Sequence, residues 1–166
     1  MSSIKIENFA EAIDELACLD IGNRNIAPLY STYRAISKTP LCLQAAKKLA
    51  ELPTNSNVLI ATGFTILPNQ TGETDGPSGA AVLANALSKG LNINSIVLTD
   101  PHLVNIAQAP LKIFGIKVPV VVFPFKKPEE FAEEILAKNQ PSALIAIERP
   151  GWNIKRIHHN MKGINI

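Results

Sequence analysis

The hydrophobic positions change rhythm once along the chain, near residue 55. Before that point they recur at helical spacing. In ENFAEAIDELACL, Phe9, Ile13, Leu16 and Ala17 share one helical face and the acids take the other. DIGNRN then interrupts the pattern, because Gly22 and two asparagines favour turns; Arg24 within it reads as a capping or surface residue. IAPLYSTYRAIS and PLCLQAAKKLAEL predict two further helices, with Pro40 suited to the first turn of the second and Pro53 past its end.

Beyond residue 55 the rhythm becomes strand, loop, helix. NVLIAT (57–62), SIVLTD (95–100), KVPVVVFPF (117–125) and SALIAIE (142–148) are short apolar runs that predict four strands. Between them lie three helical stretches. SGAAVLANALSKGL closes near Gly90, a residue suited to a left-handed C-terminal position. HLVNIAQAPLKIFG is weakened or kinked at Pro110. KPEEFAEEILAKN carries acids at its start and Lys138 near its end, the charge order that suits the helix dipole. None of the four strands alternates cleanly, so both faces of each are expected to be covered, as in a parallel sheet of the α/β class. The predicted architecture is a Rossmann-like three-layer sandwich: a mostly parallel sheet of at least four strands, in the order 3-2-1-4, preceded by N-terminal helices. One domain is expected, with a helical leader over 1–55, a βα core over 56–148 and an irregular tail over 149–166, and no internal repeat.

Composition narrows this picture. With 166 residues and a net charge of +2, the chain has room for one core and no broad basic field, so nucleic acid is not expected as a partner. No apolar run reaches the roughly 18 residues of a membrane span, and the first residues lack a secretory pattern, so no membrane role and a cytoplasmic location are expected. Cys18 and Cys42 fall in helical stretches and read as small buried hydrophobes.

In open parallel sheets ligands bind at the carboxyl ends of strands, where the strand order reverses. With the order 3-2-1-4, the loops after the first and fourth strands meet there. The first, TGFTILPNQTGETDGPSGA, is long for a connection that usually takes about 2–6 residues; the second is ERPGWN. Gly72, Gly76 and Gly79 follow G-x-x-x-G-x-x-G, neither the dinucleotide fingerprint nor a P-loop. Pro77 fits a first helical position, which would make Gly76 the N-cap and turn free N–H groups toward an anion. Glu73 and Asp75 sit at the same helix start and can complement its dipole themselves. A ligand of both charge signs reconciles the two: the N–H groups take a carboxylate, and Glu73 and Asp75 hold an ammonium group or a divalent cation. Glu148 adds a third carboxylate, and Arg149 beside it can pair with a carboxylate bidentately. An acidic amino acid matches this set, and so does a metal-bound phosphate.

IATGFTILPNQTGETDGPSGAAVLANAL, followed by IERPG and NMKG, resembles the C-terminal domain of D-glutamate cyclases and bacterial proteins like them. DIGNRNIAPLY and PLCLQAAKKL resemble its leader helices, so the likeness runs from about Phe9 to the end. The resemblance implies a lyase-type cyclisation of D-glutamate to 5-oxo-D-proline and water. For that chemistry the residues present make Glu73, Asp75 and Glu148 the expected catalytic carboxylates, Glu73 or Asp75 as base and Glu148 as proton donor, and Thr62, Gly63, Phe64, Thr74, Gly76, Ser78, Gly79, Arg149 and Asn160 the expected substrate site. No cofactor is required on this reading, although a divalent cation on Glu73 and Asp75 fits. Alternatives are a non-catalytic small-molecule-binding or regulatory domain and a Mg²⁺-dependent enzyme of phosphate ligands. Two departures stand out. KRIHH precedes NMKG where the family carries acidic, glycine and aromatic residues, so His158 and His159 read as tail residues. Family domains are also longer, which makes a homo-oligomer, or a partner supplying the missing half, the expected assembly. Trp152 reads as packing and His102 as a helix-start residue.

Overall fold

The computed structural model describes residues 3–160 and 162–166, so Met161 of the NMKG segment lies outside the described residues. The chain forms two compact units, residues 1–52 and 53–166. No described helix is long and apolar enough to cross a membrane.

The first unit holds α1 (Ser3–Ala17), α2 (Ile26–Ile36) and α3 (Leu41–Ala50). The inward face of α1 is not the one the apolar spacing predicts. Ala10 and Asp14 are buried, whereas Phe9, Ile13 and Leu16 are 66%, 41% and 70% exposed. The polar partners of Asp14 explain this register. Its carboxylate accepts the backbone N–H groups of Leu41 at 2.5 Å and Cys42 at 3.0 Å, and the Tyr30 hydroxyl at 2.9 Å. It thereby caps α3, whose flanking Pro40 supplies no side-chain cap. Small Ala10 admits the Cys42 thiol, which donates to the Ala10 carbonyl at 3.2 Å. Asp20 plays a similar part at α2, accepting from the N–H groups of Arg24 and Ile26.

Burial pushes the Asp14 carboxyl upward, but the hydrogen bonds from Cys42, Tyr30 and Leu41 outweigh it and hold the group below the ordinary carboxylate range. A lowered carboxylate contributes stability above the unfolded-state value of about 3.9, and loses it as pH falls through the folded value. Asp14→Ala should therefore cost about 1–2 kcal/mol at pH 7, the range of a lost helix cap, with the deficit shrinking below about pH 4; urea denaturation at both pH values measures it. Burial and the Asp14 charge push the Cys42 thiol up to about 11, so it is a poor nucleophile. Both cysteines are free and half-buried.

In the second unit, β1 (Asn57–Thr62), β4 (Asn94–Thr99), β5 (Val120–Val122) and β6 (Ala143–Ile147) form one fully parallel sheet. Its spatial order is β5-β4-β1-β6. The two remaining strands, β2 (Thr65–Ile66) and β3 (Thr71–Gly72), pair as an antiparallel hairpin inside the loop after β1. Counting every strand therefore gives 5-4-1-6, where the sequence, blind to the hairpin, counts 3-2-1-4. The crossover helices are α4 (Asp75–Leu91), α5 (Val104–Ile113) and α6 (Pro128–Asn139). Ala81 of α4 and Ala107 and Leu111 of α5 pack with Val97 on one face; Ile135 and Phe131 of α6 pack with Leu59 and Leu98 on the other. This makes three layers of the α/β class.

Several expectations change in detail. Gly90 lies inside α4, which closes instead on Asn92 at φ 53°, another residue that tolerates the left-handed region. The third strand covers only 120–122 of the expected 117–125; Pro119 and Pro124 flank it and supply no ladder N–H. Pro110 stays within α5. The edge strand β6 is not covered on both faces, since Leu144 is 65% exposed while Ile145 is half-buried.

The tail is more ordered than its pattern promises, and it contains a repeat. In NIKRI the Asn153 side-chain oxygen accepts from the N–H groups of Lys155 and Ile157, and in the second segment Asn160 does the same for Lys162 and Ile164. The fourth residue of each turn is left-handed, Arg156 at φ 58° and Gly163 at φ 72°. These are two copies of one Asn-headed turn.

Candidate functional site

The sheet reverses its order between β1 and β6, where Thr62 pairs with Ile147, and the loops that follow both strands meet there. Glu148 leaves β6 at φ 45°, a left-handed conformation that costs a glutamate about 1–2 kcal/mol relative to glycine. On the other side the β2–β3 hairpin fixes Glu73, whose N–H donates to the Phe64 carbonyl at 3.0 Å. Asp75 is the first residue of α4. Glu73, Asp75 and Glu148 each bring a carboxylate oxygen within 4.8 Å of the others; Glu73 is half-buried and the other two are exposed. The Thr62 hydroxyl is fully buried beneath them, with no hydrogen-bond partner among the described residues.

The start of α4 does not offer the anion cradle expected of it. Pro77 stands at the third helical position, and the flanking residue is Thr74. The Asp75 carboxylate takes the Gly76 N–H at 2.9 Å, Pro77 has none, and the Ser78 N–H and hydroxyl both donate to the Thr74 carbonyl. Asp75 therefore answers the helix dipole itself, and the assembled charge at this point favours a cation. The glycines serve close packing. A Cβ on Gly76 would stand 2.6 Å from the Glu148 Cβ and 2.8 Å from the Thr62 hydroxyl oxygen, and one on Gly79 would reach Ile147 at 3.4 Å. Gly63, at φ 124°, would press on Leu103 at 2.8 Å and the Thr99 hydroxyl at 3.0 Å.

Arg149 turns away from the carboxylates. Its guanidinium grips Asp100 with two bonds, Nη1 to Oδ2 at 2.5 Å and Nη2 to Oδ1 at 2.7 Å. Asp100 was not singled out by the sequence, yet SIVLTD and SALIAIE share one form, an apolar strand ended by an acid, and that parallel is the available signal. Asp100→Ala leaves the half-buried guanidinium unpaired, so a loss of about 1–3 kcal/mol in thermal unfolding is expected, with Asp100→Asn losing less. Beside this pair a cavity of about 490 Å³ opens at the ends of β1, β4, β5 and β6, with Gly63, Asp100, Phe123 and Arg149 in its wall. Glu73, Asp75 and Glu148 do not line it. Among the remaining expected residues, Thr62 and Gly76 lie by Glu148, Gly79 by Ile147, and the Phe64 carbonyl accepts from Glu73; Gly63 faces the cavity, Thr74 and Ser78 line a separate groove with Ile106 and Pro110 of α5, and Asn160 is spent on its turn.

A cation placed among three carboxylate oxygens can be an ammonium group or a hard divalent ion, both of which favour oxygen donors. No curated protein matches the chain. The family described as "D-glutamate cyclase-like, C-terminal" matches residues 13–166, and the chain belongs to it.

Proposed function

We propose that this chain binds a small acidic amino acid by its α-ammonium group at Glu73, Asp75 and Glu148, and cyclises D-glutamate to 5-oxo-D-proline and water. The supporting observation is the convergence of the three carboxylates within 4.8 Å at the point where the sheet order reverses. The ammonium group replaces the missing positive charge. One carboxylate removes its proton, the freed nitrogen attacks the side-chain carboxyl carbon, and a carbon–nitrogen bond forms. The nitrogen gives up a second proton as that bond forms, and the two protons, carried by the carboxylates to one oxygen of the attacked carboxylate, turn it into the departing water, so the proton count closes. Holding amine and carboxyl in one site replaces a costly encounter by a positioned one. The exposure of Glu148 and its left-handed backbone support a role for it in exchanging protons with substrate and solvent. The same three oxygens also suit a divalent cation, which would polarise the attacked carboxyl group. The test is chromatographic detection of 5-oxoproline from D-glutamate, with L-glutamate as control, before and after EDTA and Mn²⁺ or Mg²⁺ readdition. Product from D-glutamate supports the reading; the absence of both product and calorimetric binding of D-glutamate refutes it.

A further inference from the structure

The 490 Å³ cavity beside Arg149 lies outside the carboxylate cluster, and the backbone separates the two. Thr62 lies under the cluster while Gly63 lines the cavity; Glu148 joins the cluster while Arg149 joins the cavity. Its volume falls within the roughly 300–1,000 Å³ of small-molecule sites, and its place at the strand ends is where such folds bind ligands.

Three properties of the wall define the ligand. First, its acidic side chain, Asp100, and its guanidinium, Arg149, are spent on each other in a bidentate pair. Second, it holds the flat rings of Phe123, Phe125 and His102, the last two with centroids 5.9 Å apart, beside the apolar pyrrolidines of Pro101 and Pro124. Third, its wall carries hydrogen-bonding side chains, among them Gln70, His102 and His158. His158 lies 3.1 Å through Nδ1 from the Pro150 carbonyl, which only accepts, so Nδ1 donates there and Nε2 remains for a ligand. The Gln70 amide, also in the wall, can both donate and accept.

We infer that this cavity is a second binding site, for an uncharged nitrogen heterocycle of nucleoside size that stacks on Phe125 and hydrogen-bonds to His158. It takes no phosphate, because no unpaired Lys or Arg lines it. The site is independent of the cyclisation reading, since it uses none of the three carboxylates.

Calorimetric titration of the full chain with adenosine, guanosine, cytidine, uridine and AMP tests the inference. At least one nucleoside should bind saturably. Phe125→Ala, at a side chain 68% exposed, and His158→Phe should each weaken that binding at least tenfold. AMP should bind no tighter than adenosine, and D-glutamate binding should be unchanged by Phe125→Ala. Absence of saturable binding by all four nucleosides overturns the assignment. So does binding that Phe125→Ala leaves intact, or AMP binding well above adenosine.

Discussion

Gly76→Ala is expected to destabilise the second unit by about 1–3 kcal/mol and to abolish function at the carboxylate site, although alanine is the better helix former. The new methyl group would stand 2.6 Å from the Glu148 Cβ, 2.8 Å from the Thr62 hydroxyl and 3.3 Å from the Ile147 carbonyl. Two of those neighbours are held by the sheet, where Thr62 and Ile147 are register partners. Neither can yield as the end of a flexible side chain can. Relief has to come from lifting the start of α4 off β1 and β6, which moves Asp75 and Glu148 apart. Gly90 is the internal control. It sits in the same helix with nothing within 4 Å of its Cβ position, so Gly90→Ala should stabilise by about 0.5–1 kcal/mol. Urea denaturation of both variants decides the point, and Gly76→Ala as stable as the parent would contradict the packing described here.

Gly76 also marks where sequence reasoning fails. A glycine before Pro77 at a helix start has the local signature of an N-cap, and nothing within ten residues announces that Glu148 and Thr62 press against it. The same holds for Arg149. Its position after an apolar strand suggested a free guanidinium for a substrate, but its partner Asp100 is 49 residues away. In α1, the spacing of Phe9, Ile13 and Leu16 was legible, whereas the pull of the unsatisfied α3 N–H groups on Asp14 was not. What the sequence does carry is the long-wavelength pattern. Apolar runs such as Asn57–Thr62 and Ala143–Ile147, separated by helical stretches, are enough to predict a parallel sheet and a switch point between its first and last strands. That inference brought Glu73, Asp75 and Glu148 together from 75 residues apart with no side-chain contact in view. The β2–β3 hairpin and the Asn-headed turns stayed hidden because each rests on two or three residues, too short to show a period.

Glu148→Gln and Glu73→Gln should each lower 5-oxoproline formation by about 10²–10⁴-fold, the range for loss of a positioned acid or base. Asp75→Asn should cost less in turnover, because one Asp75 oxygen is already committed to the Gly76 N–H. The informative readout is stability measured on the same proteins. Three carboxylates with oxygens within 4.8 Å repel one another, so neutralising any one should leave the unfolding free energy unchanged or raise it. Glu148→Gly should raise it further, since glycine accepts φ 45° without strain. Activity lost while stability is kept or gained is the pattern of a site held together against its own repulsion for the sake of a cationic ligand. The opposite pattern, lower stability with turnover intact, would make the three acids a structural feature of the α4 start. A third signature separates an ammonium ligand from a metal. If the cluster holds only the substrate's ammonium group, Glu148→Gln weakens D-glutamate binding equally with and without EDTA; if it holds a divalent cation, EDTA alone reproduces the defect in the parent protein.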